Sequence, residues 1–194
     1  MFELADASPL DGETPSWESE GLAIRQVPAV SQLRIQLMRS GHGVTTPPGS
    51  HRLPVLPGTT IGGPEPTILW RAPGDWLAYA TSLSADDLAA WVCPLLGTAP
   101  MLMTDLSSAS VLLQIEGPRA LDVLMQDCSL DLEGDAVPPT HCVRTAFAQT
   151  TIQLHRTASP QIWRLFVERP LAHHVWSWLI HIANPRRSAR SRNA

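Results

Sequence analysis

The chain has no lysine: all 14 of its Lys/Arg positions are arginine. That excludes a Schiff-base lysine and the lysine of a Walker phosphate loop. Cysteine is scarce too, at three residues: Cys93, Cys128 and Cys142. An odd count without any C-x-x-C argues against a disulfide scaffold or a zinc site, and apolar neighbours predict that each is a small buried side chain. No apolar stretch reaches the ~20 residues a helix needs to cross a bilayer. The start M-F-E-L-A-D has neither the basic beginning nor the hydrophobic run of a signal peptide. A cytoplasmic protein without membrane contact is expected. Charge is thin, at 16% of residues against ~25% in an average domain. Less of the surface is defended by charge, which favours a chain living in a complex.

That charge is unevenly spread. Residues 1–20 hold six acids and no base, and residues 185–194 hold four arginines and no acid. The body between them holds ten arginines and twelve acids. A nucleic-acid binder should have a basic body, so that class is excluded.

Catalytic signatures are missing as well. There is no G-x-S-x-G, H-E-x-x-H, Walker loop or G-x-G-x-x-G. His174 and His181 stand two helical turns apart, ~10.5 Å along the axis, too far for one metal. His141 and Cys142 are strand neighbours and point to opposite faces. Asp105 with Ser107 and Ser108 reads as a turn cap. Gly41-His42-Gly43 reads as loop. No catalytic, cofactor-binding or metal-ligating residue is assigned.

At 194 residues the chain suits one domain or two small lobes. Residues 1–20, acidic with Pro9, Gly12 and Pro15, predict a mobile N-terminus. A single α+β domain is expected over 21–184 and a basic tail over 185–194. Twelve Gly or Pro between Gly41 and Pro66 predict one long loop. Leu22–Val27 and the alternating Leu33, Ile35 and Leu37 predict strands. Thr67–Trp70 and Trp76–Ala80 flank Ala72-Pro73-Gly74-Asp75, a hairpin. Ser84 caps a helix over Ala85–Leu96 that Gly97 ends, with Leu88, Trp91, Val92 and Leu95 as its apolar stripe. Strands follow at Met101–Leu106 and Val111–Ile115. Pro118 opens a helix running to about Cys128. His141–Ala148 and Thr151–Arg156 form a hairpin around Gln149-Thr150, and Ile162–Val167 adds a strand. Strands arranged in hairpins predict α+β with mostly antiparallel sheet. Two successions of hairpins plus a covering helix suggest a pseudo-repeat.

The last helix, Pro170 to Asn184, carries no Asp, Glu, Lys or Arg. Leu171, Val175, Trp178, Leu179 and Ile182 form a stripe at helical period. Trp176 and Ile180 point away from it. Together they represent roughly 300 Å² of apolar surface, about the largest patch a monomer tolerates. Either a second protein covers them or a loop of the same chain does, and 41–66 is the candidate loop. The low overall charge favours the partner, so Trp176 and Ile180 are assigned to a partner interface.

Several segments, taken in order, resemble a known family. They are I-L-W-R-A-P-G-D-W-L (Ile68–Leu77), T-D-L-S-S-A (Thr104–Ala109), L-L-Q-I-E-G-P-R-A-L-D-V-L (Leu112–Leu124), D-C-S-L-D-L (Asp127–Leu132), H-C-V-R-T-A-F-A (His141–Ala148) and the final helix ending W-x-W-L at Leu179. The set, spanning about 67–180, resembles the gamma subunit of heterotetrameric sarcosine oxidase. Its strand-G-P-x-A-x-x-x-L piece is shared with glycine-cleavage T-protein and other folate-binding relatives. The resemblance implies a T-protein-like folate-binding fold of two related β-hairpin/helix lobes. It implies a non-catalytic subunit assembled with alpha, beta and delta subunits. It further implies a holoenzyme that demethylates sarcosine oxidatively to glycine, hydrogen peroxide and methylene-tetrahydrofolate. FAD, FMN, NAD and tetrahydrofolate would belong to the larger subunits. The alternatives are a free-standing folate-binding or C1-transfer protein of this fold, or a subunit of a related N-methyl amino acid oxidase.

Overall fold

The computed structural model describes residues 9–10, 15–38, 51–133 and 137–184. In chain order the elements are β1 (Ser16–Ser19), β2 (Leu22–Val27), β3 (Ser31–Leu37), β4 (Thr60–Gly62), β5 (Thr67–Ala72), β6 (Asp75–Ala80) and α1 (Ala85–Leu96). There follow β7 (Met101–Asp105), β8 (Ser110–Glu116), α2 (Ala120–Met125), β9 (His141–Phe147), β10 (Thr150–Arg156), β11 (Ile162–Glu168) and α3 (Ala172–Ala183). A 3-10 turn, Arg169–Leu171, leads into α3. Every ladder is antiparallel. One sheet has the order β1-β2-β8-β11-β10-β9 and the other β4-β5-β6-β3-β7. The protein is α+β, as its hairpins predict.

Strand alternation builds four layers. Trp76, Ala78 and Ala80 of β6 pack outward with Leu88 and Val92 of α1. Leu77 and Tyr79 of the same strand face inward, against Leu112 of β8, Cys142 of β9 and Phe166 of β11. In the other sheet Leu113, Ile115, Trp163 and Leu165 face outward toward α2 and α3. A strand between a helix layer and a second sheet has no solvent face. All six residues of β6 are accordingly buried.

The two sheets repeat one plan. Strand order β4-β5-β6-β3-β7 matches β9-β10-β11-β8-β2, with α1 and α3 in equivalent places after the third strand of each. Among the described residues the second copy has no fifth strand of its own. The N-terminal β2 supplies it, pairing with β8 from Ala23 opposite Glu116 to Val27 opposite Leu112. The pseudo-repeat is therefore real in topology, but its halves are interlocked.

Several expectations need correction. The N-terminal stretch read as mobile contains β1, and Leu10 is buried in the core. Glu18 sits on this edge strand, where charge is tolerated. The Pro/Gly-rich loop contains β4, whose three residues pair with Thr67–Leu69. Residues 39–50, with Gly41-His42-Gly43, and the basic tail 185–194 lie outside the described residues. The helix after β8 starts at Ala120, since Arg119 holds φ −89 and ψ 0 and closes a turn rather than opening the helix. The β9–β10 turn is Ala148-Gln149, with φ of 50 and 58. Two successive positive φ values are those of a type I′ hairpin turn. The turn is pinned from outside: the Ala148 N–H donates to Asp127 Oδ2 at 2.7 Å, and the Ala148 carbonyl accepts from His174 Nε2 at 2.8 Å.

Candidate functional site

The final helix is the surface that the sequence singles out. Its core line is Ala172, Val175, Leu179 and Ala183, all buried. That differs from the expected stripe. Leu171 lies in the 3-10 turn, and Trp178 and Ile182 are only half-buried on one flank. The cause is helical phase: at 3.6 residues per turn, Trp178 and Ile182 fall to one side of the line through Ala172, Val175, Leu179 and Ala183. Trp178 is stacked between His174, at 6.5 Å between ring centroids, and His181, at 5.9 Å. The two histidines thus flank an indole. Arg119 Nη2 donates to the Ala183 carbonyl at 3.4 Å, placing a cation at the negative end of the helix.

Trp176 and Ile180 occupy the other flank. Both are half-buried and pack against the edge of the core. With Ser177, His181 and Asn184 they line an open hollow of about 430 Å³. The sequence reading sets them wholly apart from the core; the structure has them straddling core and surface.

Chemistry-bearing groups concentrate elsewhere, between the sheets. Arg164 Nη1 donates to Tyr79 Oη at 2.8 Å, and Tyr79 Oη lies 2.9 Å from His155 Nδ1. Arg164 Nη2 pairs with Glu65 at 3.5 Å, and Glu65 in turn accepts from the backbone N–H of Thr81 at 3.0 Å. Burial, reinforced by the Arg164 charge, pushes His155 down to about 4, so it is neutral at pH 7. A neutral ring has one bare nitrogen; with Arg164 already donating to Oη, we assign it to Nδ1, which accepts from the Tyr79 hydroxyl while Nε2 carries the ring proton. Burial also raises Tyr79 above the usual phenol range. This chain of bonds joins the sheets with its acid and base locked to each other.

Cys142 faces the same layer. Its thiol donates to the Trp70 carbonyl at 3.2 Å, and burial pushes it up to about 12. A thiol held protonated is a packing group, not a nucleophile. His141 points the other way, its Nδ1 on the Pro139 carbonyl at 3.1 Å. Cys93 is exposed, contrary to expectation, because it lies beside the α1 stripe of Leu88 and Val92 rather than on it. Ser107 donates both N–H and O–H to Asp105 Oδ1, at 2.8 and 2.6 Å, the turn cap read from the sequence. Among the described residues no three His, Cys, Asp or Glu side chains cluster as metal ligands.

A third assembly carries no sequence signal at all. Asp75 accepts from Arg34 Nε at 3.0 Å on Oδ1 and from Nη2 at 2.8 Å on Oδ2, and Arg71 Nη1 lies 4.0 Å from Oδ1. Arg34, Arg71 and Arg144 line one cleft with Asp75 behind it, yet the four residues are scattered over β3, β5, β6 and β9. Only folding brings them together.

A family model described as the sarcosine oxidase gamma subunit family matches residues 50–184. The chain belongs to the sarcosine oxidase gamma subunit family. Among relatives, the gamma subunit of Corynebacterium sp. strain P-1 is 30% identical over 174 residues, covering 84% of each chain. That of Corynebacterium sp. strain U-96 is 29% identical over 165 residues, covering 82% of this chain and 78% of the relative. Among solved structures, the heterotetrameric sarcosine oxidase of Corynebacterium sp. U-96 in complex with pyrrole 2-carboxylate contains a chain matching at a TM-score of 0.70 and 26% identity, with 86% of both chains covered. The glycine cleavage aminomethyltransferase T of Bartonella henselae matches at a TM-score of 0.52 and 14% identity, over 80% of this chain and 44% of that one. This second likeness concerns the fold alone, which is T-protein-like. The chain thus shares its architecture with a glycine cleavage aminomethyltransferase.

Proposed function

We propose that this chain is a non-catalytic gamma subunit of a cytoplasmic sarcosine oxidase complex, docking on larger subunits through the Trp176 and Ile180 flank of α3. The holoenzyme would oxidise the N-methyl group of sarcosine, passing two electrons to dioxygen. With tetrahydrofolate present, the products are glycine, methylene-tetrahydrofolate and hydrogen peroxide. FAD, FMN, NAD and folate would sit on the alpha, beta and delta subunits.

One observation supports the docking assignment most. A helix with no Asp, Glu, Lys or Arg leaves two large apolar side chains half-covered beside an open hollow. The groups between the sheets support the non-catalytic assignment. The Cys142 thiol is held protonated, and Tyr79 and His155 are committed to each other.

Co-expression with alpha, beta and delta subunits tests the reading. The chain should co-elute with them on size exclusion as one complex. A well-behaved monomer that never joins them overturns it. Titrating the isolated chain with tetrahydrofolate separates the alternative, because micromolar binding would favour a free-standing folate protein.

A further inference from the structure

We propose that the cleft between the two sheets at Arg71 binds a small organic monocarboxylate. This inference is independent of the docking assignment. It starts from a defect in a ladder. β5 pairs with β6 at Trp70–Trp76 and again at Ala72–Asp75, so Arg71 is the extra residue of a β-bulge. A bulge re-aims a side chain and breaks the regular alternation, and bulges are enriched beside functional sites. Here it turns the Trp70 carbonyl to the opposite sheet, where it accepts from Cys142 and Gln153. It also puts the Arg71 guanidinium into the cleft.

That guanidinium is expensive to keep there. The Arg71 side chain is 15% exposed, and burial lowers its proton affinity. Its Nε is buried and has no hydrogen-bond partner among the described residues. A buried charged donor left unmatched is costly. Its nearest anion, Asp75, is engaged at both oxygens by Arg34. The arrangement is complete only when an acceptor enters.

Charge and shape define that acceptor. Arg34, Arg71 and Arg144 face Asp75 and Glu168, leaving one positive charge in excess. A monovalent anion balances it; a phosphate dianion would overshoot. The cleft measures about 260 Å³, a volume for a small ligand. Leu77, Leu106, Ile152 and Phe166 supply apolar wall for a hydrocarbon body. A planar carboxylate can take two parallel N–H donors from a guanidinium, which a point cation does not offer.

The test is calorimetric titration of the full chain, alone and in its co-purified complex, with benzoate, benzamide and inorganic phosphate. Benzoate should occupy one site on this chain in both forms. Arg71→Gln should weaken it by about tenfold or more, the equivalent of one charge-assisted hydrogen bond. Arg144→Gln should weaken it by a smaller factor, and because Arg144 is exposed that variant keeps the fold. Benzamide should not bind. The proposal is overturned if benzoate does not bind, if both arginine variants bind it unchanged, or if phosphate binds more tightly. It is equally overturned if binding to the isolated chain disappears in the complex, since a side chain of another subunit would then fill the cleft.

Discussion

The Tyr79 hydroxyl donates to His155 Nδ1 at 2.9 Å, and this single bond ties β6 of one sheet to β10 of the other. Removing the hydroxyl strands two buried groups, since Arg164 Nη1 also depends on it. Tyr79→Phe should therefore cost about 2–4 kcal/mol of stability, more than an average hydrogen bond, because two partners lose their match. Urea unfolding of the variant measures it. A loss below half a kcal/mol would show that the pair adds nothing to the junction.

The same pair predicts a pH dependence. The folded pKa of His155 is about 4, against 6.5 for the free side chain. A group with a depressed folded pKa contributes stability that is present above the unfolded value and lost as pH falls. The window therefore runs from pH 6.5 down to about 4. The full loss is about 3 kcal/mol at ~1.4 kcal/mol per pKa unit. His155→Gln keeps an acceptor for Tyr79 and removes the titration. Its stability should fall less steeply than wild type across that window, and the comparison cancels His51, also lowered by burial. Parallel curves would contradict the assignment.

The two faces of α3 should respond differently to charge. Val175 is fully buried, so Val175→Asp places an unpaired carboxylate in the core and should cost several kcal/mol, enough to unfold the chain. Trp176→Asp and Ile180→Asp sit at the edge of the hollow and should leave the fold while weakening assembly. Circular dichroism and size exclusion with the other subunits separate the two effects. Equal unfolding by all three variants would remove the interface assignment.

Gly117 lies between β8 and α2 with φ +120, and a Cβ there would meet the Gly21 carbonyl at 2.5 Å. Both strain and collision oppose a side chain, so Gly117→Ala should lose at least ~2 kcal/mol. Gly63 provides the control, because a Cβ at that position meets nothing within 4 Å. Gly63→Ala should be near neutral in the same thermal melt.

The three cysteines should label in order of exposure: Cys93 first, then Cys128, with Cys142 last. At pH 8 Cys142, raised to about 12, is almost wholly protonated as well as buried. Timed alkylation followed by mass spectrometry reads the order. Early modification of Cys142 in folded protein would mean that the inter-sheet layer opens readily.

Local chemistry was legible wherever it is written locally. Ser84, with Asp86 and Asp87 behind it and Gly97 beyond, specifies α1 end to end. Pro73-Gly74 specifies the β5–β6 turn, and the resemblance carried by Ile68–Leu179 pointed to the family that residues 50–184 match. What escaped is non-local. Period-2 alternation says which residues share a face, not which strand lies alongside, so nothing in Leu22–Val27 names β8 as its partner. β1 and β4, at four and three residues, are too short to show a period. Arg71 and Arg144 carry no local signal, because a bulge and a second sheet are needed to bring them to one cleft. The one available hint was β6: a strand as apolar as Trp76–Ala80, in a sheet with a helix on one side, must meet something on the other.

The loan of β2 to the second sheet has a consequence for biosynthesis. Leu22–Val27 leaves the ribosome some ninety residues before its docking site, Leu112–Glu116, is made. The intervening sheet, β3 to β7, is complete by then and can close around α1 on its own. The leading strand must wait with its edge unpaired, exposed to whatever chaperone or neighbouring chain is nearby. Synthesis thus delivers this strand well before the fold has a place for it.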